Sequence, residues 1–251
     1  INGGYAFKMS YPIPAYLIAL AVGDLKFKAI SENCGVYGLP DMVEKAANEF
    51  VETPKMITVA EKIAGPYIWD RYDMIVLPKA FPFGGMENPM LTFLTPTVIA
   101  GDRSLVSIIA HELAHSWSGN LVTNSSWNDF WLNEGITVYL ERRIIEELRG
   151  KEFTAMHRYN GYMDLTSTIA DLGLDSEDTH LKLSLTGRNP DDGMTDVAYE
   201  KGALFLEYIE SRTSRERMDK MLQDYFQLFN SGNLNNERVI VFLRKDFLES
   251  E

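Results

Sequence analysis

Apolar positions in the first third of the chain occur in short runs, which predict β-strands. One apolar run extends from Ala15 to Val22 and ends at Gly23-Asp24, and the segment from Phe27 to Gly38 has the composition of further strand. Runs of this length bounded by glycine, proline and aspartate are typical of strands. Two more strands are predicted at Tyr72–Pro78 and Leu91–Thr95.

From Ser104 onward, apolar residues recur at the three- and four-residue spacing of α-helices. The first such helix ends near Gly119-Asn120, and a second extends from about Asn128 to Leu148. Other helices are predicted at 40–65 (interrupted at Pro54), 152–170, 197–213, 215–230 and 236–249. Strands followed by helices indicate an α+β fold with a small β-rich lobe and a helical lobe.

Composition narrows the classes of function. The 251 residues carry a formal net charge of −12, which argues against a nucleic-acid partner because such a partner needs a basic surface. The longest apolar run, Tyr16 to Val22, is shorter than the about 20 residues of a membrane span. The single cysteine, Cys34, excludes an intrachain disulfide and favours a cytoplasmic location, with a periplasmic or secreted one left open. Because the chain begins with Ile1, we expect a fragment or a processed product.

The strongest chemical signal is the pentad from His111 to His115, with the sequence His-Glu-Leu-Ala-His, inside the first helix after Ser104. Positions i and i+4 of a helix share a face, so both imidazoles point the same way, as two ligands of one zinc ion must. Glu112 lies beside them and can reach a water on the metal. A chance pentad of this kind has a frequency on the order of one in a hundred for a chain of this length.

Glu134 is the candidate for a third ligand, which a catalytic zinc site requires. The 18 residues between His115 and Glu134 allow the first helix to end, the chain to reverse over 120–127 and the second helix to return antiparallel. Glu134 then lies in an early turn of the second helix and faces the histidines. The sequence therefore predicts one Zn²⁺ per chain, held by His111, His115 and Glu134.

This ligand set predicts hydrolytic chemistry. Zinc lowers the pKa of a bound water toward about 7 and polarises a carbonyl group. Glu112 is expected to act as the general base on the metal-activated water and to deliver the proton to the leaving amine. Each ligand imidazole also needs an acceptor for its other ring nitrogen. Glu141 and Asp129 are candidates, although each is also typical of a surface carboxylate.

The motifs together resemble the M1 family of zinc aminopeptidases. Asn133-Glu134-Gly135 follows the pentad at the family's spacing, and Gly84-Gly85-Met86-Glu87-Asn88 looks like its G-x-M-E-N exopeptidase motif. The stretch from Gly84 to Glu141 looks most like the leukotriene A4 hydrolase branch and its bacterial aminopeptidase relatives. The resemblance implies a thermolysin-like zinc metallopeptidase catalytic domain at 25–251. It also implies that residues 1–24 are the last strands of the family's N-terminal β domain, and that the family's C-terminal helical domain is absent.

The resemblance also implies roles for residues outside the ligand set. Glu87 is expected to bind the free α-amine of a peptide, because a cation in a desolvated pocket needs a carboxylate partner. The backbone of Gly84, Gly85 and Met86 is expected to pair with the substrate main chain, and Tyr199 to donate a hydrogen bond to the oxyanion. The implied activity is a zinc-dependent aminopeptidase that removes the N-terminal residue of peptides with a free N-terminus.

Three alternatives differ from this activity. Asp191 aligns with an aspartate that the leukotriene branch uses in epoxide opening, so an epoxide hydrolase, as sole or second activity, stays open. Met194 and Phe83 stand where that branch has tyrosines, which weakens this alternative. A thermolysin-like endopeptidase is disfavoured by Glu87. A non-enzymatic scaffold is disfavoured by the complete ligand set. The sequence gives no indication of the oligomeric state.

Overall fold

The computed structural model describes residues 3–248 of the chain, with side-chain surroundings described as far as residue 245. Its larger sheet has five strands in the order β1-β2-β3-β5-β4. The strands are β1 (Lys26–Ala29), β2 (Cys34–Gly38), β3 (Tyr72–Val76), β4 (Gly85–Met86) and β5 (Leu91–Leu94). The inner pairs β2–β3 and β3–β5 are parallel, whereas β1 and β4 join antiparallel at the two edges.

β3 is the middle strand of the larger sheet. All five of its residues are buried, as expected for a strand that is covered on both faces and lies between two parallel neighbours. A second sheet pairs two short strands in parallel, β6 (Val122–Asn124) and β7 (Gly232–Leu234). The sequence did not predict β4, β6 or β7, because two or three residues are too few to show a period.

Helices make up most of the chain after residue 100. The helices are α1 (Val43–Glu49), α2 (Thr53–Ala64), α3 (Ser107–Ala114), α4 (Trp131–Arg149), α5 (Lys151–Leu172), α6 (Gly202–Arg212), α7 (Arg215–Leu228) and α8 (Asn236–Phe242). α4 is the central helix, since it contacts α2, α3, α5 and α6. It ends at Gly150, whose φ of 89° is a conformation that glycine adopts readily. This architecture confirms the predicted α+β fold with a helical region after the sheet.

One predicted strand is wrong. The run from Ala15 to Val22 forms a short 3₁₀ turn at Ala15–Leu17 and then continues without a strand assignment. Ile18, Leu20 and Val22 are exposed, and no neighbouring strand pairs with this segment among residues 3–248. A strand needs a hydrogen-bonded partner as well as a suitable pattern. Within the same range, no helix is long and apolar enough to cross a membrane.

Candidate active site

α3 and α4 bring the three predicted metal ligands together. His111 lies in the last turn of α3, His115 is the residue that follows it, and Glu134 is in the first turn of α4. The Oε2 atom of Glu134 is 3.4 Å from His111 Nε2 and 3.5 Å from His115 Nε2. Two ligand atoms on one tetrahedral zinc, each about 2.0 to 2.1 Å from the metal, are separated by about 3.3 Å. The spacing therefore fits a zinc ion.

The other ring nitrogens are engaged in a way that leaves both Nε2 atoms facing Glu134. His111 Nδ1 is 3.0 Å from Glu141 Oε2, and His115 Nδ1 is 2.8 Å from the backbone oxygen of Ser118. Both acceptors favour a proton on Nδ1, so each Nε2 can offer a lone pair to a metal ion that displaces its proton. The Glu134 Oε2 atom is buried without a hydrogen-bond partner. Two Nε2 atoms and an unpartnered carboxylate oxygen directed at one point are what a bound cation requires.

The electrostatics of the site also favour a cation. Burial lowers the pKa of His115, but the carboxylates of Glu134 and Glu87 outweigh it and raise that pKa to about 9. Burial raises the pKa of Glu134, and the neighbouring histidines overcome this and bring it to about 2. The carboxylates thus hold a positive charge on the imidazoles when no metal is present. A metal ion takes the place of that charge.

The predicted general base, Glu112, is buried beside the ligands. Burial raises the pKa of its carboxyl group to about 7. The glycine motif approaches it closely, because a Cβ on Gly85 would collide with the Glu112 carboxylate. Glu112 Oε2 has no hydrogen-bond partner, which leaves it available to a substrate or water.

Glu87 lies in the same pocket and is fixed by the surrounding chain. Ligand atoms of Glu87, Glu112 and His115 are all within 4.8 Å of one another. Asn120 Nδ2 donates to the Glu87 backbone oxygen at 2.8 Å, and Tyr16 Oη donates to Glu87 Oε1 at 3.4 Å. The Glu87 carboxylate is therefore buried next to Glu112 and His115, and its position suits a bound cation.

Tyr199 reaches the site from a wide π-helical turn, Val197–Lys201, which leads into α6. Its ring lies 6.2 Å from that of His111 with the planes 18° apart, and it meets Phe130 edge-on. Burial raises the pKa of its hydroxyl well above the usual value, so the group stays protonated and can donate a hydrogen bond.

A cavity of about 920 Å³ joins these groups. All ten residues proposed from the sequence line it: Gly84, Gly85, Met86, Glu87, His111, Glu112, His115, Glu134, Asp191 and Tyr199. Phe83 and Met194 also line it and are about half exposed. The cavity is large enough for a small peptide.

Some contributors were not identified from the sequence. Tyr16 is the main one: it lines the cavity and accepts a hydrogen bond from Asn133 Nδ2 at 3.4 Å. Its position inside an apolar run gave no signal. Of the two proposed imidazole partners, Glu141 contacts His111, whereas Asp129 accepts from the Asn236 backbone and Ser126 at 3.2 Å each. Asp129 is therefore a buried structural acceptor, and neither residue is a solvated surface carboxylate.

Fold and donor set together define the class of protein. A helix that supplies H-E-x-x-H and a second helix that supplies a glutamate ligand are features of zinc metallopeptidases. Residues 48–249 match the Peptidase family M1 domain, and the chain belongs to this family.

Leukotriene A-4 hydrolases and leucine aminopeptidases match the chain at similar sequence identity. The chain is 45% identical over 244 residues to leukotriene A-4 hydrolase of Xenopus laevis, which is 97% of this chain and 40% of that protein. It is 45% identical over 246 residues to leucine aminopeptidase 2 of Yarrowia lipolytica, covering 95% of this chain and 38% of that protein. The chain therefore spans about two fifths of the length of these curated relatives.

Solved structures agree on the fold. Yeast LTA4 hydrolase in complex with bestatin superposes with a TM-score of 0.92 at 42% identity, covering 96% of this chain and 39% of that one. An M1 zinc metallopeptidase of Deinococcus radiodurans, bound to a Tyr-Ser-Ala substrate, gives a TM-score of 0.74 at 23% identity. The superposition covers 94% of this chain and 51% of the Deinococcus protein. At this identity the similarity concerns the fold alone.

Proposed function

We propose that this chain carries the active site of a zinc aminopeptidase that removes the N-terminal residue from peptides, with one Zn²⁺ per chain. The observation that carries the proposal is the position of Glu87, whose carboxylate lies within 4.8 Å of ligand atoms of Glu112 and His115. A buried carboxylate at that distance binds an α-ammonium group and brings the first peptide bond to the catalytic groups. An endopeptidase cleaves between internal residues and brings no α-ammonium group to such a carboxylate.

The other residues act around this contact. His111, His115 and Glu134 would hold the metal, which when bound supplies a Lewis acid and lowers the pKa of water. Glu112 accepts the proton of the attacking water and transfers it to the departing amine. Its pKa near 7 suits both directions of transfer. Tyr199 Oη donates a hydrogen bond to the oxygen that becomes negative as the carbonyl carbon is attacked.

The glycine motif would hold the substrate main chain. β4 pairs with β5 on one side only and is an edge of the larger sheet, so its second edge is available to an extended peptide. Gly84, Gly85 and Met86 line the cavity along this edge. Asp191, which also lines the cavity, would contact the side chain or the leaving part of the substrate. We further propose residues 25–251 as the catalytic domain and 1–24 as the end of a preceding β domain.

The test is hydrolysis of a panel of aminoacyl-chromophore substrates, with zinc quantified in the same sample. Matched substrates with an acetylated α-amine are the control. We expect cleavage of the free-amine series, loss of cleavage with a chelator, and no cleavage of the acetylated series. Equal cleavage of both series would identify an endopeptidase and refute the proposal. The full-length protein should be tested beside this chain, because the relatives extend well beyond it.

An epoxide hydrolase activity is the second candidate, favoured by the presence of Asp191 in the cavity wall. Phe83 and Met194 line the same cavity and carry no hydroxyl groups. Incubation with a fatty-acid epoxide and chromatography of the diols would test for this activity. Diol formation that is lost in Asp191→Asn but leaves peptide cleavage intact would establish the second activity. Diol at the level of the non-enzymatic reaction would exclude it.

A further inference from the structure

The wide turn that carries Tyr199 is unusual in its geometry. π-helical turns are rare and occur mostly at functional sites, where the extra residue redirects a side chain. Here the turn covers Val197–Lys201 and continues directly into α6. Such a turn is a poorer arrangement than an α-helix, so specific contacts have to maintain it.

An ion pair holds the residue next to Tyr199. Glu200 Oε2 is 2.5 Å from Arg142 Nη2, and the two side chains are only 15% and 7% exposed. Arg142 belongs to α4, the helix that also carries Glu134 and Glu141. A buried, charge-assisted pair has a narrow range of geometries. It therefore fixes the turn relative to the helix that supplies a metal ligand.

Two glycines leave room for this arrangement. A Cβ on Gly135 would meet the Gly202 Cα atom at 2.7 Å and the Ala198 backbone oxygen at 3.0 Å, so α4 and the turn approach at backbone distance. On the other side, a Cβ on Gly161 of α5 would collide with the carboxylate of Glu200. The Glu200 side chain thus occupies a notch in α5 while it pairs with α4.

We propose that Arg142 and Glu200 form a positioning pair that sets the Tyr199 hydroxyl for catalysis, with Gly161 as the notch that admits it. The inference rests on the proposed oxyanion role of Tyr199. Neither Arg142 nor Glu200 lines the cavity, so both act through the turn and not on the substrate. Arg142 belongs to α4, the helix that carries the proposed ligand Glu134, and Glu200 is the residue next to Tyr199. The pair therefore connects this helix to the Tyr199 turn.

The decisive experiment is a double-mutant cycle in peptide hydrolysis, made in the full-length protein. Glu200→Gln keeps the size of the side chain and removes its charge, and we expect kcat to fall by roughly 10- to 100-fold with KM unchanged, as for a misplaced catalytic group. In a Tyr199→Phe background the same change should have no further effect. Such non-additivity is expected only if Glu200 acts through Tyr199.

Two further variants separate positioning from stability. Gly161→Ala retains every charge but displaces the Glu200 carboxylate, and it should lower kcat in the same way, although alanine is the better helix former. Glu146→Gln is the matched control, because Glu146 is 11% exposed and pairs with Arg215 at 2.6 Å without touching the turn. It should leave kcat and KM unchanged. Zinc content and Tm are measured for every variant.

The outcomes distinguish the inference from the proposed function. Full activity in Tyr199→Phe would refute the oxyanion role and with it this inference. A severe loss in Tyr199→Phe, combined with an equal kcat loss from Glu200→Gln in both backgrounds, would overturn the positioning pair alone. The pair is likewise overturned if Glu200→Gln is silent, or if Glu200→Gln fails to fold and Gly161→Ala keeps the parental kcat.

Discussion

At the scale of single residues, the cavity selects positive charge. Four glutamates line it, Glu87, Glu112, Glu134 and Glu141, and none of the lining residues that the structure describes is lysine or arginine. Two cations can balance this charge in a substrate complex, the metal and the α-ammonium group of a peptide. The carboxylates that line the cavity therefore favour the binding of cations there.

Replacement of Glu112 by glutamine tests the proton transfer. The substitution keeps the shape of the side chain and removes the base, so we expect kcat to fall by about 10²- to 10⁴-fold while zinc remains bound. Steady-state kinetics and metal analysis on the same sample provide the measurement. Glu147→Gln, at an exposed position of α4, serves as the control. A Glu112→Gln enzyme within threefold of the parent would rule out the assigned mechanism.

Tyr16 offers a second test at this scale. Tyr16→Phe removes the hydroxyl that donates to Glu87 Oε1 and accepts from Asn133. Glu87 then has one fewer contact to hold it in place for an α-amine, and we expect KM for free-amine peptides to rise several-fold with little change in kcat. The loss of one such hydrogen bond corresponds to about 0.5 to 1.5 kcal/mol. An unchanged KM would show that Tyr16 only fills space.

At the scale of elements, α4 organises the site. Glu134 and Glu141 are seven residues apart, which is two helical turns, so both face α3. Glu134 is the proposed third metal ligand, and Glu141 contacts His111 at 3.0 Å. Gly135, in the same helix, lets α6 and the Tyr199 turn approach. A single helix thus carries the proposed metal ligand and its supporting carboxylate and packs directly against the turn that carries Tyr199.

The contact between Glu141 and His111 should matter for metal affinity. Glu141→Gln keeps an acceptor but loses the negative charge that strengthens the imidazole as a ligand, and Glu141→Ala loses both. Outer-shell changes of this kind weaken metal binding by about 10- to 100-fold. Competition with a chelator of known zinc affinity would measure the effect. We expect the parent to bind zinc most tightly, the Gln variant less tightly and the Ala variant least tightly. Equal zinc affinities would remove Glu141 from this role.

The crossing of α4 and α6 predicts an effect on stability. Gly135→Ala places a methyl group against the Gly202 backbone, where no flexible side chain can yield. Overpacking of this kind typically costs about 1 to 3 kcal/mol. Denaturant unfolding should show it. Gly23→Ala is the control, because the nearest atoms to a Cβ there are 4.0 Å away. A stable Gly135→Ala protein would mean that the helices can separate without loss.

At the scale of the whole molecule, the site lies where separate parts of the fold meet. The edge strand β4 comes from the larger sheet, α3 and α4 from the helical region, and Tyr16 from the segment before β1. Tyr16 and Glu87 are 71 positions apart in sequence, and Tyr16 and Asn133 are 117 apart. A metal held by His111, His115 and Glu134 would join α3 to α4, the two helices around which the other parts of the site are arranged.

Zinc removal should accordingly destabilise the whole chain. A ligand that binds only the folded state contributes about 4 kcal/mol when present at a thousandfold excess over its Kd. For a protein of this size that corresponds to a fall in Tm of roughly 10 °C. Thermal scans with and without a chelator would measure it, and added Zn²⁺ should restore the parental Tm. Glu134→Ala should respond to neither treatment. A chelator-insensitive parent would show that the metal is dispensable for stability.

The sequence by itself determined the parts of the site that depend on short spacing. The four-residue separation of His111 and His115 fixes both on one helical face, and the helix periodicity after Ser104 predicted the elements that carry them. The first residues of the strands that begin at Tyr72 and Leu91 also followed from local pattern, whereas both strands end earlier than predicted, at Val76 and Leu94. These features need only the geometry of one element, which the residues within it specify.

Tertiary structure alone decided the rest. Tyr16 became a wall of the cavity, the run after it lacked a partner strand, and the acceptor for His115 is the backbone oxygen of Ser118, which no side-chain pattern encodes. The Glu200 carboxylate of the wide turn lies against Gly161 in another helix. Each of these depends on which distant segments pack together. Periodicity within one segment carries no information about that, whereas burial and close packing of the folded chain settle it.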